Sequence, residues 1–250
     1  FTKAGKKTIV ATYWNRRRFS VLVTDINGES AEATAQEIGG GAWAMTQDVR
    51  DPESHRTVAR AASDRGTLAL WVNNAGVLLP ERELTEEGLE RTFATNLLGH
   101  FLLTNLLVEK LEAPARMINV SSGGMYSQRI RVDDLQMERG RYDGAVAYAR
   151  TKRGQVILTE LWAESLRSRG IVVHSMHPGW ADTPGVSESL PRFYKLTKPL
   201  LRTPEQGADT IVWLCASDEA GRSTGQFWHD RRPRPTHRFR GTRETEAERV

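Results

Sequence analysis

Leu68-Ala-Leu-Trp-Val-Asn-Asn-Ala-Gly76 is a short apolar run that ends abruptly in polar and small residues. Five apolar residues are too few for a helix, and their length with a turn signal behind them predicts a buried strand. The pattern recurs outward along the chain. Arg116-Met-Ile-Asn-Val-Ser121, Gly170-Ile-Val-Val-His-Ser-Met176, Phe19-Ser-Val-Leu-Val-Thr-Asp25 and the stretch 42–49 have the same character, and Gly225-Gln-Phe-Trp228 reads as a short final strand. Helical segments separate them, over 29–38, 52–65 and 204–216. Another covers 85–111, as one helix or two joined, and another carries Tyr148 and runs to about Arg169. Apolar strands alternating with amphipathic helices predict an α/β fold with a parallel sheet covered on both faces. No internal repeat or interior linker interrupts the pattern, so residues 1–230 are expected to form a single domain.

Composition narrows the function classes. The chain has 250 residues, 39% of them hydrophobic, and a net charge of +4. No apolar run reaches membrane-spanning length and no signal-peptide architecture opens the chain, so a soluble, cytoplasmic protein is expected. Cys215 is the only cysteine and the six histidines lack ligand spacing, so no disulfide or metal site is expected. Much of the basic excess lies in the Arg/Pro-rich segment 231–250, which reads as a solvated, weakly ordered tail. No aromatic platform there supports nucleic-acid binding.

In a parallel sheet, ligands lie beyond the carboxyl ends of the strands. Asp25, Asp48, Asn73-Asn-Ala-Gly76, Ser121-Ser122 and His177-Pro-Gly179 all end expected strands. Tyr148-Ala-Arg-Thr-Lys152 adds a phenol and an ammonium one helical turn apart. An ammonium there favours the phenolate, and is expected to draw the tyrosine pKa down towards working pH.

Together these residues resemble the short-chain dehydrogenase/reductase family. The motifs are Asn73-Asn-Ala-Gly76, Asn96 in Thr-Asn-Leu-Leu-Gly, Ser122 in Asn-Val-Ser-Ser-Gly-Gly, Tyr148 with Lys152, and Pro178-Gly179, in the family's order. Ser122 and Tyr148 stand 26 positions apart, and Asp134-Leu-Gln-Met-Glu138 with Tyr142-Asp-Gly144 lies between them, similar to the retinol-dehydrogenase-like branch. The resemblance implies a Rossmann-like, doubly wound parallel sheet and hydride exchange between a nicotinamide cofactor and a secondary alcohol or carbonyl. It makes Tyr148 the acid/base, Ser122 the donor to the substrate oxygen, Lys152 the holder of the ribose, and Asn96 the anchor of a relay water. Asp48 and Val49 become the adenine contact. Asn74, Ala75 and Gly76 become the backbone facing the cofactor. Pro178, Gly179 and Thr183 become the nicotinamide clamp. A carboxylate at Asp25 accepts both ribose hydroxyls of NAD and repels the 2′-phosphate of NADP, so NAD is expected; a helix cap is its alternative role. Segment 180–203 carries Leu190, Phe193, Tyr194, Leu196 and Leu200, and reads either as a lid over a lipophilic substrate or as a surface helix. The helices around Asn96 and Val156 carry more apolar residues than one face needs. They suit a homodimer or homotetramer, or burial within one subunit.

The first unit departs from the family. Its glycine-rich turn would cradle pyrophosphate at a helix N-terminus, but no glycine occurs between Gly5 and Gly28. If 8–12 and 19–25 are the first two strands, Tyr13 to Arg18 alone join them. Six residues span roughly 20 Å, while a parallel crossover needs a dozen or more residues. The first βα unit is therefore expected to be truncated. Three readings stay open: residues omitted from the chain as numbered, a deletion that impairs nucleotide binding and leaves a binding or scaffold module, or a cradle rebuilt from Asn15 and Arg16–Arg18.

Overall fold

The computed structural model describes residues 8–9, 20–182, 195 and 198–248. Thr183, the stretch 10–19 and most of the expected lid, including Leu190, Phe193, Tyr194 and Leu196, lie outside them.

Two sheets carry the α/β architecture. The first holds β1 (Thr8–Ile9), β2 (Leu22–Asp25) and β3 (Trp43–Thr46) in that order. The second holds β4 (Leu68–Asn73), β5 (Leu111–Val120), β6 (Ile171–Met176), β7 (Phe227–His229) and β8 (Arg232–Arg234). β2 and β3 are parallel, as are β4 through β7. Side-chain alternation explains why both sheet faces are covered. Trp71, Met117 and Val173 enter one core with Leu103, Leu107 and Trp162 from the helices, whereas Val72, Ile118 and Val120 enter another with Leu214 and Trp228.

Helix caps place the connections. α1 (Gly28–Ile38) starts at Asn27, whose side chain accepts the Ser30 N–H, and α2 (Pro52–Asp64) starts at Asp51 with Pro52 in the first turn. α5 (Gly144–Ser165), which bears Tyr148 and Lys152, starts at Asp143. A capping box of Thr203 and Gln206 opens α6 (Pro204–Ala216).

Three expectations need correction. The first two strands are not parallel: Thr8 pairs with Thr24 and Ile9 with Val23 in an antiparallel ladder. A short connection permits only that return. Both faces of β2 are covered, with Leu22 and Thr24 as buried as Val23. The helical segment 85–111 is shorter and interrupted. Thr85 and Leu89 close a turn, and Glu90 caps α3 (Arg91–Phe93) by accepting the Thr92 and Phe93 N–H groups. A π-helical turn (Ala94–Leu98) follows, then α4 (Gly99–Leu107).

The expected solvated tail instead docks on the body. β8 is a strand absent from the sequence reading, joined to β7 by Asp230 and Arg231, both at positive φ. Two such residues make the tight turn that matches strand twist. Asp230 pairs with Arg202 and Arg231 with Asp209, so charge partners hold residues that have no left-handed preference beyond the aspartate's. Among the described residues no helix is long and apolar enough to cross a membrane.

A Cβ on Gly99, at the start of α4, would stand 2.0 Å from the carbonyl oxygen of Val49, which follows β3. Gly99→Ala should therefore lower stability by about 2 kcal/mol, read as a lower urea midpoint at unchanged slope. An unchanged midpoint would show that this contact does not constrain the packing.

Candidate active site

Asp25, Asp48, the Asn73–Gly76 run, Ser121–Ser122 and His177–Gly179 stand at or just beyond the carboxyl ends of β2 to β6. Behind them lies a buried amide network that ties β4, β5 and the helices. Asn73 Nδ2 donates to Asn119 Oδ1 (2.8 Å) and Thr104 Oγ1 (3.1 Å), and Asn119 Nδ2 donates to Thr159 Oγ1 (2.8 Å). Satisfied buried amides fix strand ends more narrowly than apolar contacts do.

The two serines divide. Ser121 is buried and its hydroxyl donates to the Lys152 carbonyl (2.8 Å), a structural tie between β5 and α5. Ser122 Oγ accepts the Gly124 N–H (3.1 Å), and a Cβ on Gly124 would stand 3.5 Å from that oxygen and 3.8 Å from Tyr148 Cε1. Its hydroxyl therefore stands beside the phenol, and the adjoining short helix Gly123–Ser127 starts from it.

Lys152 is 3% exposed, and its Nζ donates to the Val120 carbonyl (2.8 Å) and lies 5.6 Å from the centre of the Tyr148 ring. Burial takes its pKa down to about 7. The expected depression of the Tyr148 pKa is not what the structure gives. Burial raises it, and the Ser122 hydrogen bond only offsets part of that rise. Burial of the phenol is the larger cause, and the Lys152 Nζ is engaged with a strand carbonyl.

Asn96 sits in the π-helical turn, the type of helix irregularity that aims a side chain. Its Oδ1 accepts the Val77 N–H (2.8 Å), and its Nδ2 donates to the Val77 carbonyl (2.9 Å) and Thr151 Oγ1 (3.1 Å). Its carbonyl accepts from Gln155 Nε2 (2.7 Å), which also meets His100 Nδ1 (2.8 Å). A relay water at Asn96 thus finds only second lone pairs. Sequence reasoning missed Gln155 and His100. Their signal was the spacing of Gln155 three residues after Lys152. Burial takes the His100 pKa down to about 3, so it is a neutral ring here.

The cofactor-side residues fit a nicotinamide nucleotide unevenly. A side chain on Gly76 would place its Cβ 3.4 Å from Lys152 Nζ and 3.5 Å from Asn96 Oδ1, filling the space in front of the lysine. The glycine backbone thus faces two polar groups of the kind that a ribose hydroxyl would meet. Asp25 is buried, and its Oδ1 accepts the Asn27 N–H (2.9 Å), so the carboxylate also braces the start of α1. Asp48 is gripped by the Arg50 guanidinium (Nε 2.9 Å, Nη2 2.5 Å), which leaves its carboxylate less open to an adenine than the resemblance implies. Val49 packs with its carbonyl against Gly99. Gly179 has φ +81, and its N–H donates to His177 Nδ1 (3.2 Å); the His177 ring stacks on His229 at 4.5 Å. The described residues before β2 (Thr8, Ile9, Ser20 and Val21) include no glycine-rich turn, while Gly76, Asn96 and Lys152, expected on the ribose side, stand together.

The depressed Lys152 pKa has a signed consequence. Between pH 7 and 10 the unfolded chain holds a proton on this lysine that the folded chain has largely lost, so stability rises with pH in that window. Lys152→Met should remove that rise, on the order of a few kcal/mol, in chemical denaturation repeated across pH. The same slope in the variant and the parent would refute the burial argument.

The geometry has counterparts among known proteins. A family model described as enoyl-(acyl carrier protein) reductase matches residues 8–230. Dehydrogenase/reductase SDR family member 12 of Homo sapiens is 45% identical over 193 residues, which cover 76% of this chain and 60% of that protein. The Bos taurus counterpart is 42% identical over 213 residues, covering 84% and 67%. Ser121-Ser-Gly-Gly-Met125, Ser175-Met-His-Pro-Gly-Trp-Ala-Asp-Thr-Pro-Gly185 and Gln206-Gly-Ala-Asp-Thr210 already pointed to family member 12. Retinol dehydrogenase 11 of Mus musculus is 30% identical over 237 residues, 92% of this chain and 75% of that one. The chain spans about two thirds or less of the length of the two family-member-12 proteins. Among solved structures, a double mutant of a Serratia marcescens short-chain dehydrogenase/reductase superposes with a TM-score of 0.67 at 25% identity, covering 83% of this chain and 84% of that one. The chain belongs to the short-chain dehydrogenase/reductase family, whose members carry out oxidoreduction with NAD or NADP.

Proposed function

We propose that this chain exchanges a hydride between NAD(H) and a secondary alcohol or carbonyl of lipophilic character. The observation that carries the reading is the convergence of Ser122, Tyr148 and a buried Lys152 beyond the ends of β5 and β6. When bound, the nicotinamide supplies the hydride to the carbonyl carbon or removes it from the alcohol carbon. The chain's residues manage the matching proton and the charge on oxygen. Ser122 donates to the substrate oxygen as charge develops there. Tyr148, kept protonated by burial, gives its proton to that oxygen in the reducing direction. Lys152 holds the nicotinamide ribose, and Asn96 braces the loop of Val77 against α5. Asn74, Ala75 and Gly76 present backbone to the nucleotide, and Pro178, Gly179 and Thr183 hold the nicotinamide amide. Asp48 and Val49 flank the adenine. Asp25 accepts the ribose hydroxyls and disfavours NADP. Exposed Phe101 and Leu106 on α4 suit a homodimer or homotetramer.

A second reading has its own support. The antiparallel β1 and the absence of glycine between Gly5 and Gly28 favour a module that has lost its pyrophosphate cradle and binds without turnover.

Titration with NADH and NADPH, followed by fluorescence or heat, separates the two. Saturable NADH binding stronger than NADPH is expected, and binding of neither nucleotide would remove the enzyme reading. Asp25→Ser should move the preference towards NADPH; an unchanged ratio would take Asp25 out of that role. Tyr148→Phe should lower turnover between about a hundred- and ten-thousand-fold with NADH affinity retained. Full turnover in that variant would refute the acid/base role.

A further inference from the structure

Arg153 follows Lys152 on α5, yet it points away from the site and is fully buried. A buried arginine needs every donor matched and its charge compensated. Here the partners come from two distant parts of the chain. Nη2 donates to the Met125 carbonyl (3.0 Å) and Nε reaches the Gln128 carbonyl (3.5 Å), both in or beside the short helix that begins at Ser122. Nη1 donates to the Thr236 carbonyl (2.7 Å), and Nε lies 3.5 Å from Glu244 Oε1. The Glu244 side chain is itself only 2% exposed and meets His237 Nε2 at 3.1 Å.

Tyr126, in the same short helix, makes two further ties to the Arg/Pro-rich segment. Its hydroxyl donates to the Pro235 carbonyl (2.6 Å), and the Arg238 guanidinium stacks 4.5 Å from its ring centre. Below it, Met125, Tyr126, Val156 and Phe227 form a small buried cluster. The short helix is therefore clamped between α5 and residues 235–244, and its first hydrogen bonds run from Gly124 N to Ser122 Oγ and from Met125 N to the Ser122 carbonyl.

We propose that residues 235–244 form a strap, fastened by the buried Arg153–Glu244 pair, that sets the position of Ser122 through the Gly123–Ser127 helix. Arg153 is thereby a positioning residue one place along from Lys152, and Tyr126 is the strap's second fastening. The catalytic half of this inference rests on the role assigned to Ser122 above; the mechanical half does not.

The test uses the full chain with two variants, Glu244→Gln and Tyr126→Phe. The second buries no uncompensated charge, so it remains informative if the first does not fold. Hydrogen exchange is read at the Gly124 and Met125 amides and at the β4 and β6 amides. Kinetics use NADH with phenanthrenequinone as the carbonyl probe. Exchange at Gly124 and Met125 should rise about tenfold or more while β4 and β6 stay as in the parent. Turnover should fall by about one to two orders of magnitude with NADH affinity held within about twofold, because a misplaced donor costs rate rather than nucleotide binding. Parent-like exchange at Gly124 and Met125, or a rise shared equally by β4 and β6, would overturn the strap. A parent chain with no turnover would remove the proposed function, and the exchange result would then decide the strap by itself.

Discussion

The burial of Lys152 against the Val120 carbonyl is the constraint on which the site depends. An ammonium taken out of water is costly unless something fixes it, and here β5 and α5 do so together. β5 supplies the carbonyl, α5 supplies the lysine, and the Ser121 hydroxyl pins the lysine's own backbone to the end of β5. The same arrangement leaves Gly76 facing the lysine with no side chain between them. Fold and candidate chemistry are thus one problem: the strand that ends at Ser122 also holds the lysine in place. The lysine's depressed pKa and the phenol's raised one both follow from that dry environment.

Much of this was legible in the residues, because short apolar strands ending in small or polar residues have few other uses. The period of α5 places Tyr148 one turn from Lys152, and the strand alternation of Trp71 and Val72 separates the two cores. What was not legible depended on direction rather than on pattern. Spacing says that Tyr148 and Lys152 share a helix face, but not that Nζ turns towards Val120. The Asn96 helix could be recognised, but not its π-helical turn. The Arg232-Pro-Arg234 run looks solvated by composition. Its pairing rests on Asp230 and Arg231 adopting positive φ with Arg202 and Asp209 as partners, which no local propensity reports.

The two halves of the candidate nucleotide site differ in kind. The residues proposed to meet the ribose lie on or beside β4, β5, α5 and the π-helical turn, all braced by buried amides. The residues proposed to meet the adenine side follow β2 and β3, where Asp48 is held by Arg50 and β1 runs antiparallel. Binding energy from the phosphates, which a glycine-rich turn would supply, has no counterpart among the described residues. The guanidinium charges of Arg16–Arg18, with the neutral Asn15 amide beside them, are the substitute that the sequence offers.

The most direct test of the account is the titration of Lys152 itself. Lysine labelled with carbon-13 at the ε position, with the Lys152 signal assigned by its loss in Lys152→Met, reports that one ammonium by NMR across pH. The account predicts a midpoint near pH 7, about three units below an exposed lysine. A midpoint near 10.5 would mean that the ammonium is solvated, and the geometry proposed for Ser122, Tyr148 and Lys152 would not hold.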